Sequence, residues 1–217
     1  MSVSRADIMT FADRIDAGQQ LGRYLARNNL QADLVLGLPR GGVVIAAEVA
    51  RILHRPLEAL LVRKIGHPRH REFAVGALAE DGTLVLDDAV LAQTGVPAEA
   101  LQEVIAEETA RLAGYRAKFL RPERPSLKDK TVLIVDDGLA TGATMEVAVR
   151  SAKTRQANGV TVAVPVASEN STDRLTRVAD SVLALLVDPG FDAVGRYYRS
   201  FPQTTDEEVM KILGTAG

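Results

Sequence analysis

Val132 to Val135 are four consecutive apolar residues that run straight into Asp136 and Asp137. The small, hydroxyl-bearing loop Gly138-Leu139-Ala140-Thr141-Gly142-Ala143-Thr144 comes next. An unbroken apolar run of this length suits a strand of a parallel sheet covered on both faces. The residues that follow, Met145 to Ser151, read as a helix. Strand, tight loop and helix in that order restrict the fold to helices layered on a mainly parallel sheet. They also restrict the chemistry. Loop N–H groups, the hydroxyls of Thr141 and Thr144 and the dipole of the helix all favour one anion. The two carboxylates stand beside that anion, at the carboxyl end of the strand. Such a cradle suits a phosphorylated sugar, with the loop on the phosphate and the acids on ribose hydroxyls.

The rest of the chain repeats the strand–helix alternation. Arg5 to Asn28 reads as an amphipathic helix with Ile8, Phe11, Ile15, Leu21 and Leu25 apolar, weakened in its middle by Gly18. Asp33 to Leu38 is an apolar strand ending in Pro39-Arg40-Gly41-Gly42, and a helix follows from Val43 to Leu53. Leu57 to Val62 reads as a second strand ending on Arg63 and Lys64. Phe73–Leu78 and Thr83–Leu86 look like short strands turned by Glu80-Asp81-Gly82. Pro97 opens a long helix to about Phe119, with Leu101, Val104, Ile105, Leu112, Tyr115 and Phe119 as its apolar stripe. Arg121 to Lys130 is a solvated connector. Gly159–Pro165 and Ser181–Val187 are further strands, with a helix at about Ser171–Val178 between them. Thr205 and Glu208 have the spacing of a capping box for a terminal helix.

Alternation of this kind implies a mainly parallel, twisted sheet with flanking helices, and ligands of such sheets sit beyond the carboxyl ends of the strands. The loops at Pro39–Gly42, Arg63–Gly66 and Asp136–Thr144 all leave from that edge. A length of 217 residues fits one α/β domain, 1–217. Apolar residues at 47% and charged residues at 25% give the usual globular balance, and a net charge of −2 offers no basic field for nucleic acid. There is no cysteine, hence no thiolate chemistry and no disulfide framework. No apolar run approaches bilayer length, so the expectation is no membrane contact and a cytoplasmic location.

The stretch Val132 to Thr144 resembles the phosphoribosyl-pyrophosphate (PRPP) motif of the type I phosphoribosyltransferases, and the likeness spans nearly the whole chain. Arg63-Lys64-Ile65-Gly66 and the Gln203-to-Glu208 tail are similar to a subgroup named only as predicted phosphoribosyltransferases. The resemblance implies a type I phosphoribosyltransferase fold with a helical insertion (97–120) and a small hood and tail (188–217). It implies transfer of ribose 5-phosphate from PRPP to a nitrogenous base with release of pyrophosphate. Leu139, Ala140, Thr141, Gly142, Ala143 and Thr144 would bind the 5-phosphate. Asp136 and Asp137 would bind ribose and help place Mg²⁺, through ribose hydroxyls or water. Arg40, Gly41, Arg63 and Lys64 would bind pyrophosphate, and Asp136, Asp137 and Lys64 are the residues expected in catalysis.

A mobile flap or hairpin, 66–86, would carry His67, Arg69 and Arg71 over the site. His67 and His70, with no third ligand nearby, read as loop histidines rather than a metal site. Phe191, Asp192 and Tyr197 would contact the base. Purine enzymes of the hypoxanthine–guanine kind place an Asp where this chain has Ala140, which argues against those two acceptors. The partners implied are PRPP and a small-molecule base, and a homodimer is allowed for. Two other outcomes stay open: a non-catalytic PRPP- or nucleotide-sensing regulator, and a phosphohydrolase using the acid pair.

Overall fold

The computed structural model describes residues 10–215. In chain order the elements are α1 (Arg14–Arg27), β1 (Leu34–Gly37), α2 (Gly41–Leu53), β2 (Leu57–Ala59), β3 (Val62–His67), β4 (His70–Ala79) and β5 (Leu84–Leu86). Then come α3 (Asp88–Thr94), α4 (Ala98–Phe119), β6 (Thr131–Val135), α5 (Ala143–Thr154), β7 (Gly159–Ser168), α6 (Glu169–Leu175), β8 (Ser181–Asp188) and α7 (Asp206–Thr215). Five parallel strands form the main sheet in the order β2-β1-β6-β7-β8. β3, β4 and β5 form a separate antiparallel sheet.

The main sheet is covered on both faces, and its strands divide their side chains accordingly. Val35 of β1 and Leu133 and Val135 of β6 face a core shared with Leu21 and Leu25 of α1 and Ile45 and Val49 of α2. Leu34, Leu36, Val132 and Ile134 face the opposite core, with Met145, Ala148 and Val149 of α5 and Leu175 of α6. Crossovers are helical, as parallel neighbours require. No helix among the described residues is long and apolar enough to cross a membrane.

Several sequence expectations are corrected. The first helix begins at Arg14, capped by Asp13, whose side chain accepts from Asp16 N at 2.9 Å. Phe11 lies outside it: its N–H donates to Tyr197 O and its carbonyl accepts from Arg199 N, at 2.8 and 2.9 Å. Ile15 is half exposed, so it belongs to no core stripe, and Ile8 lies outside the described residues. Gly18 is not a weakness. A Cβ there would stand 2.9 Å from both Glu48 Cβ and Ile45 O, so its bareness lets α1 press against α2.

The expected strand Leu57–Val62 is two strands in two sheets. β2 stops at Ala59, the buried pair Leu60-Leu61 crosses over, and β3 starts at Val62. Arg63 and Lys64 therefore lie inside β3, paired in register with Leu78 and Ala77, rather than at a strand end. The segment 66–86 expected as a flap takes in the tip of this β3–β4 hairpin, where His67 pairs with His70, together with β4 and β5. α3 was not anticipated, and the helix expected at Ser171 begins two residues earlier, capped by Ser168.

Candidate active site

Asp136 and Asp137 follow the last residue of β6, partly buried where the carboxyl ends of β1 and β6 meet. They meet the loop after β1 head-on. A Cβ on Gly41 would overlap Asp137 Oδ2, and one on Gly42 would come within 2.6 Å of Asp136 Oδ1. Only glycines let the two loops touch, and the Pro39–Arg40 peptide that precedes them is cis. Asp136 Oδ1 also accepts from Asp137 N at 2.8 Å, which fixes its rotamer.

The acids are unequal. Burial, then the charge of Asp137, pushes the Asp136 carboxyl well above its ordinary value of 3.8, opposed by the cations Arg14 and Lys64. Burial also raises Asp137, but Arg14 counters it directly. Arg14 Nε and one terminal nitrogen both lie 2.9 Å from Asp137 Oδ2. Arg14 is the residue that sequence reasoning missed. Its partner lies 123 positions away, and one arginine on a helix gives no local signal.

The loop 138–144, expected to take a phosphate, is held from behind. Leu139 bridges to Ala167 of β7, with Leu139 N donating to Val166 O at 2.9 Å and Ser168 N to Leu139 O at 3.0 Å. Ser168 Oγ donates to Ala140 O at 2.8 Å, and Ser171 Oγ stands 3.1 Å from Leu139 O. These contacts occupy the carbonyls of the loop. The first amides of α5 have no intrahelical partner by geometry. Gly142, left-handed at φ 73°, turns the chain into α5. Ala140 and Thr141 are exposed, so the loop opens to solvent. A cavity of about 280 Å³ adjoins Thr141 and Ala143, walled by Phe73, Gly76 and Val85 of the second sheet.

The cations expected at pyrophosphate have divergent surroundings. Lys64 is exposed on β3 and within electrostatic reach of Asp136. Arg63 is tied down: its Nε lies 2.7 Å from Glu108 Oε2 on α4, and its guanidinium stands 5.6 Å from the centre of the Tyr115 ring. Arg40 is 3.8 Å from Asp206, and with Arg63 and Tyr115 it lines a second cavity of about 270 Å³. Near the hairpin tip, Arg69 is exposed, Arg71 pairs with Glu107 at 3.0 Å, and the His67 and His70 rings lie tilted to one another with centres 5.6 Å apart.

The residues expected at the base are engaged with one another. Tyr197 is buried, stacks on Phe191 at 5.4 Å and donates its hydroxyl to Asp188 Oδ2 at 2.6 Å. Asp192 pairs with Arg196. Tyr198, its neighbour, donates to Asp137 O at 2.6 Å and so ties this segment to the acids.

No group of three or more His, Asp or Glu side chains that could hold a metal occurs among the described residues. The donor set nevertheless fits an ion held mainly by ligand oxygens and water, the habit of Mg²⁺. Two adjacent carboxylates share a single contacting cation, Arg14, and a divalent ion would offset the remaining charge.

A parallel sheet carrying a phosphate cradle and paired acids at its carboxyl edge is the arrangement of the type I phosphoribosyltransferase fold. A family model for the phosphoribosyl transferase domain matches residues 12–191, and the chain belongs to that family. Two relatives from Mycobacterium tuberculosis, provisionally named phosphoribosyl transferases Rv0571c and MT0597, are 43% identical over 207 residues. That alignment covers 95% of this chain but 47% of each relative, so the chain spans about half their length. The crystal structure of TT1426 from Thermus thermophilus superposes with a TM-score of 0.77 at 44% identity, covering 94% of this chain and 98% of that one.

Proposed function

We propose that this chain transfers ribose 5-phosphate from PRPP to a nitrogenous base and releases pyrophosphate, with Mg²⁺ bound. The observation that carries this reading is the meeting of three elements at one sheet edge: the acid pair, the Gly41-Gly42 turn and the open loop before α5. Loop amides and the Thr141 and Thr144 hydroxyls take the 5-phosphate. Asp136 and Asp137 take the ribose hydroxyls, and their charge stabilises the ring as positive charge develops on it. Arg40, Gly41 and Lys64 receive the departing pyrophosphate. Arg63 reaches it only by leaving Glu108. When bound, Mg²⁺ neutralises pyrophosphate oxygens and helps order the sugar.

The β3–β4 tip carries Arg69 and the two histidines of the flap, and its closure would exclude water from the reacting carbon. Phe191, Asp192 and Tyr197 contact the base only if their mutual contacts open. PRPP and Mg²⁺ incubated with a panel of purines and pyrimidines test the proposal through release of pyrophosphate. Release that depends on one base supports it. Saturable PRPP binding without turnover points instead to a sensor, and phosphate release from simple esters to a hydrolase.

A further inference from the structure

Arg14 lies outside every motif that marks the family's ligand loops, yet each nitrogen of its guanidinium is committed. Nε and one terminal nitrogen converge on Asp137 Oδ2, both at 2.9 Å. The other terminal nitrogen, Nη1, donates to Pro202 O at 2.6 Å. The flat face rests on the Phe201 ring, 3.7 Å from its centre. Its side chain is only 11% exposed. Phe201 packs on Tyr198 at 4.8 Å, and Tyr198 in turn packs on Phe11 at 5.4 Å and hydrogen-bonds the Asp137 carbonyl. Asp137 is thus gripped at both its side chain and its main chain by one connected cluster.

A guanidinium ordinarily meets a carboxylate fork to fork, one N–H to each oxygen. Here the hydrogen bond from Nε and the ion-pair contact of the terminal nitrogen both fall on Oδ2. Oδ1 takes neither contact and is left to accept from something else. The side chain of Asp137 remains 18% exposed, which gives an incoming hydroxyl access. Gly41 closes the other side, since a Cβ there would also come within 2.6 Å of Arg14 Nε. Tyr198, Phe201 and Pro202 all lie beyond residue 191, where the match to the family model ends. Arg14 and Asp137 themselves lie inside the matched stretch, so the brace joins residues within it to residues beyond it.

We propose that Arg14, seated on Phe201 and Pro202, is a positioning residue that holds Asp137 by Oδ2 so that Oδ1 is presented to a ribose hydroxyl. The inference rests on the functional reading above, in which Asp137 meets the sugar. It adds that residues on α1 and after Tyr197 set the geometry of that contact. Lysine cannot replace the arginine here. A single ammonium has neither the planar face for Phe201 nor the fork that spans Asp137 and Pro202.

Titration calorimetry with ribose 5-phosphate and with inorganic phosphate separates sugar contact from phosphate contact. R14M is expected to weaken ribose 5-phosphate by at least tenfold, about 1.4 kcal/mol, while inorganic phosphate changes by less than about twofold. R14K recovers little of the loss. F201L removes the ring beneath the guanidinium while leaving the acids and the loop alone, and lowers ribose 5-phosphate affinity by roughly threefold. R23M, on an exposed position of the same helix, leaves both ligands unchanged. Wild-type affinity for ribose 5-phosphate retained in R14M would overturn the proposal. So would equal loss of both ligands, which marks general damage to the fold. Failure of the wild type to bind ribose 5-phosphate or PRPP would remove the transferase reading itself, a different result from a silent R14M.

Discussion

Asp136 and Asp137 are neighbours with different obligations. Asp137 has a cation in contact with one oxygen, whereas Asp136 accepts from a backbone amide and feels Arg14 and Lys64 only at a distance. Near pH 3 the Asp136 carboxyl is protonated whether the chain is folded or not, and it costs nothing. As pH rises past 3.8 the unfolded chain releases that proton while the folded protein keeps it, so stability falls until the buried group also ionises. Asp136→Asn retains the acceptor for Asp137 N and has no charge to bury. Its melting temperature should exceed wild type by about 2–4 °C at pH 7.5, about 1 kcal/mol, with the gap closing toward pH 3.5 in calorimetric scans. Asp137→Asn acts on turnover instead. Base-dependent pyrophosphate release should fall at least tenfold, about 1.4 kcal/mol of transition-state stabilisation, and unchanged turnover would remove this carboxylate from the mechanism. These acids and the loop after them are legible in the sequence because strand, acids and cradle are contiguous. Arg14 is not, because its contact with Asp137 exists only once α1 has packed on α2 and β7.

At the level of elements, two glycines inside helices make opposite predictions. Gly18 of α1 faces α2 with no room for a methyl group, while nothing lies within 4 Å of a Cβ on Gly114 of α4. Alanine favours a helix over glycine by roughly 1 kcal/mol at either position. At Gly114 that gain stands alone, and Gly114→Ala should raise stability by about 0.5–1 kcal/mol. At Gly18 the crowding costs about 1–3 kcal/mol, so Gly18→Ala should be net destabilising in urea melts. Periodicity revealed both helices, but not which glycine touches a neighbour. It also joined β2 to β3, since Leu60 and Leu61 are as apolar as the strand before them and no turn residue marks the change of sheet. The same absence of signal hid the distribution of Arg63 and Lys64 along β3. Phe191 and Tyr197, expected at the base, stack on one another with Tyr197 buried.

Across the whole molecule, a buried carboxylate adds to the apolar packing of Ala77 and Ala79 on Val147 in fastening the second sheet to the first. Glu80, just past β4, lies 2.7 Å from Arg124 in the connector before β6 and 3.4 Å from Arg155 at the end of α5. Arg124 also donates to Ala59 O of β2 at 2.7 Å. The Glu80 side chain is 3% exposed, and removing its charge leaves Arg124 relying on Glu58, 3.7 Å away, and strips Arg155 of its Glu80 contact. Breaking a buried pair in this way costs about 3–5 kcal/mol, and Glu80→Gln should lower the melting temperature by roughly 6 °C or more. A drop below about 2 °C would show that the sheets are held by apolar contact alone. The brace on Asp137 joins equally distant parts, with Arg14 early in the chain and Phe201 and Pro202 late. During synthesis the loop residues have all emerged by residue 144, but the contacts that back the loop come later, from Val166 to Ser171. Tyr198, Phe201 and Pro202 come later still, so the grip on Asp137 is the last of these contacts that the emerging chain can complete.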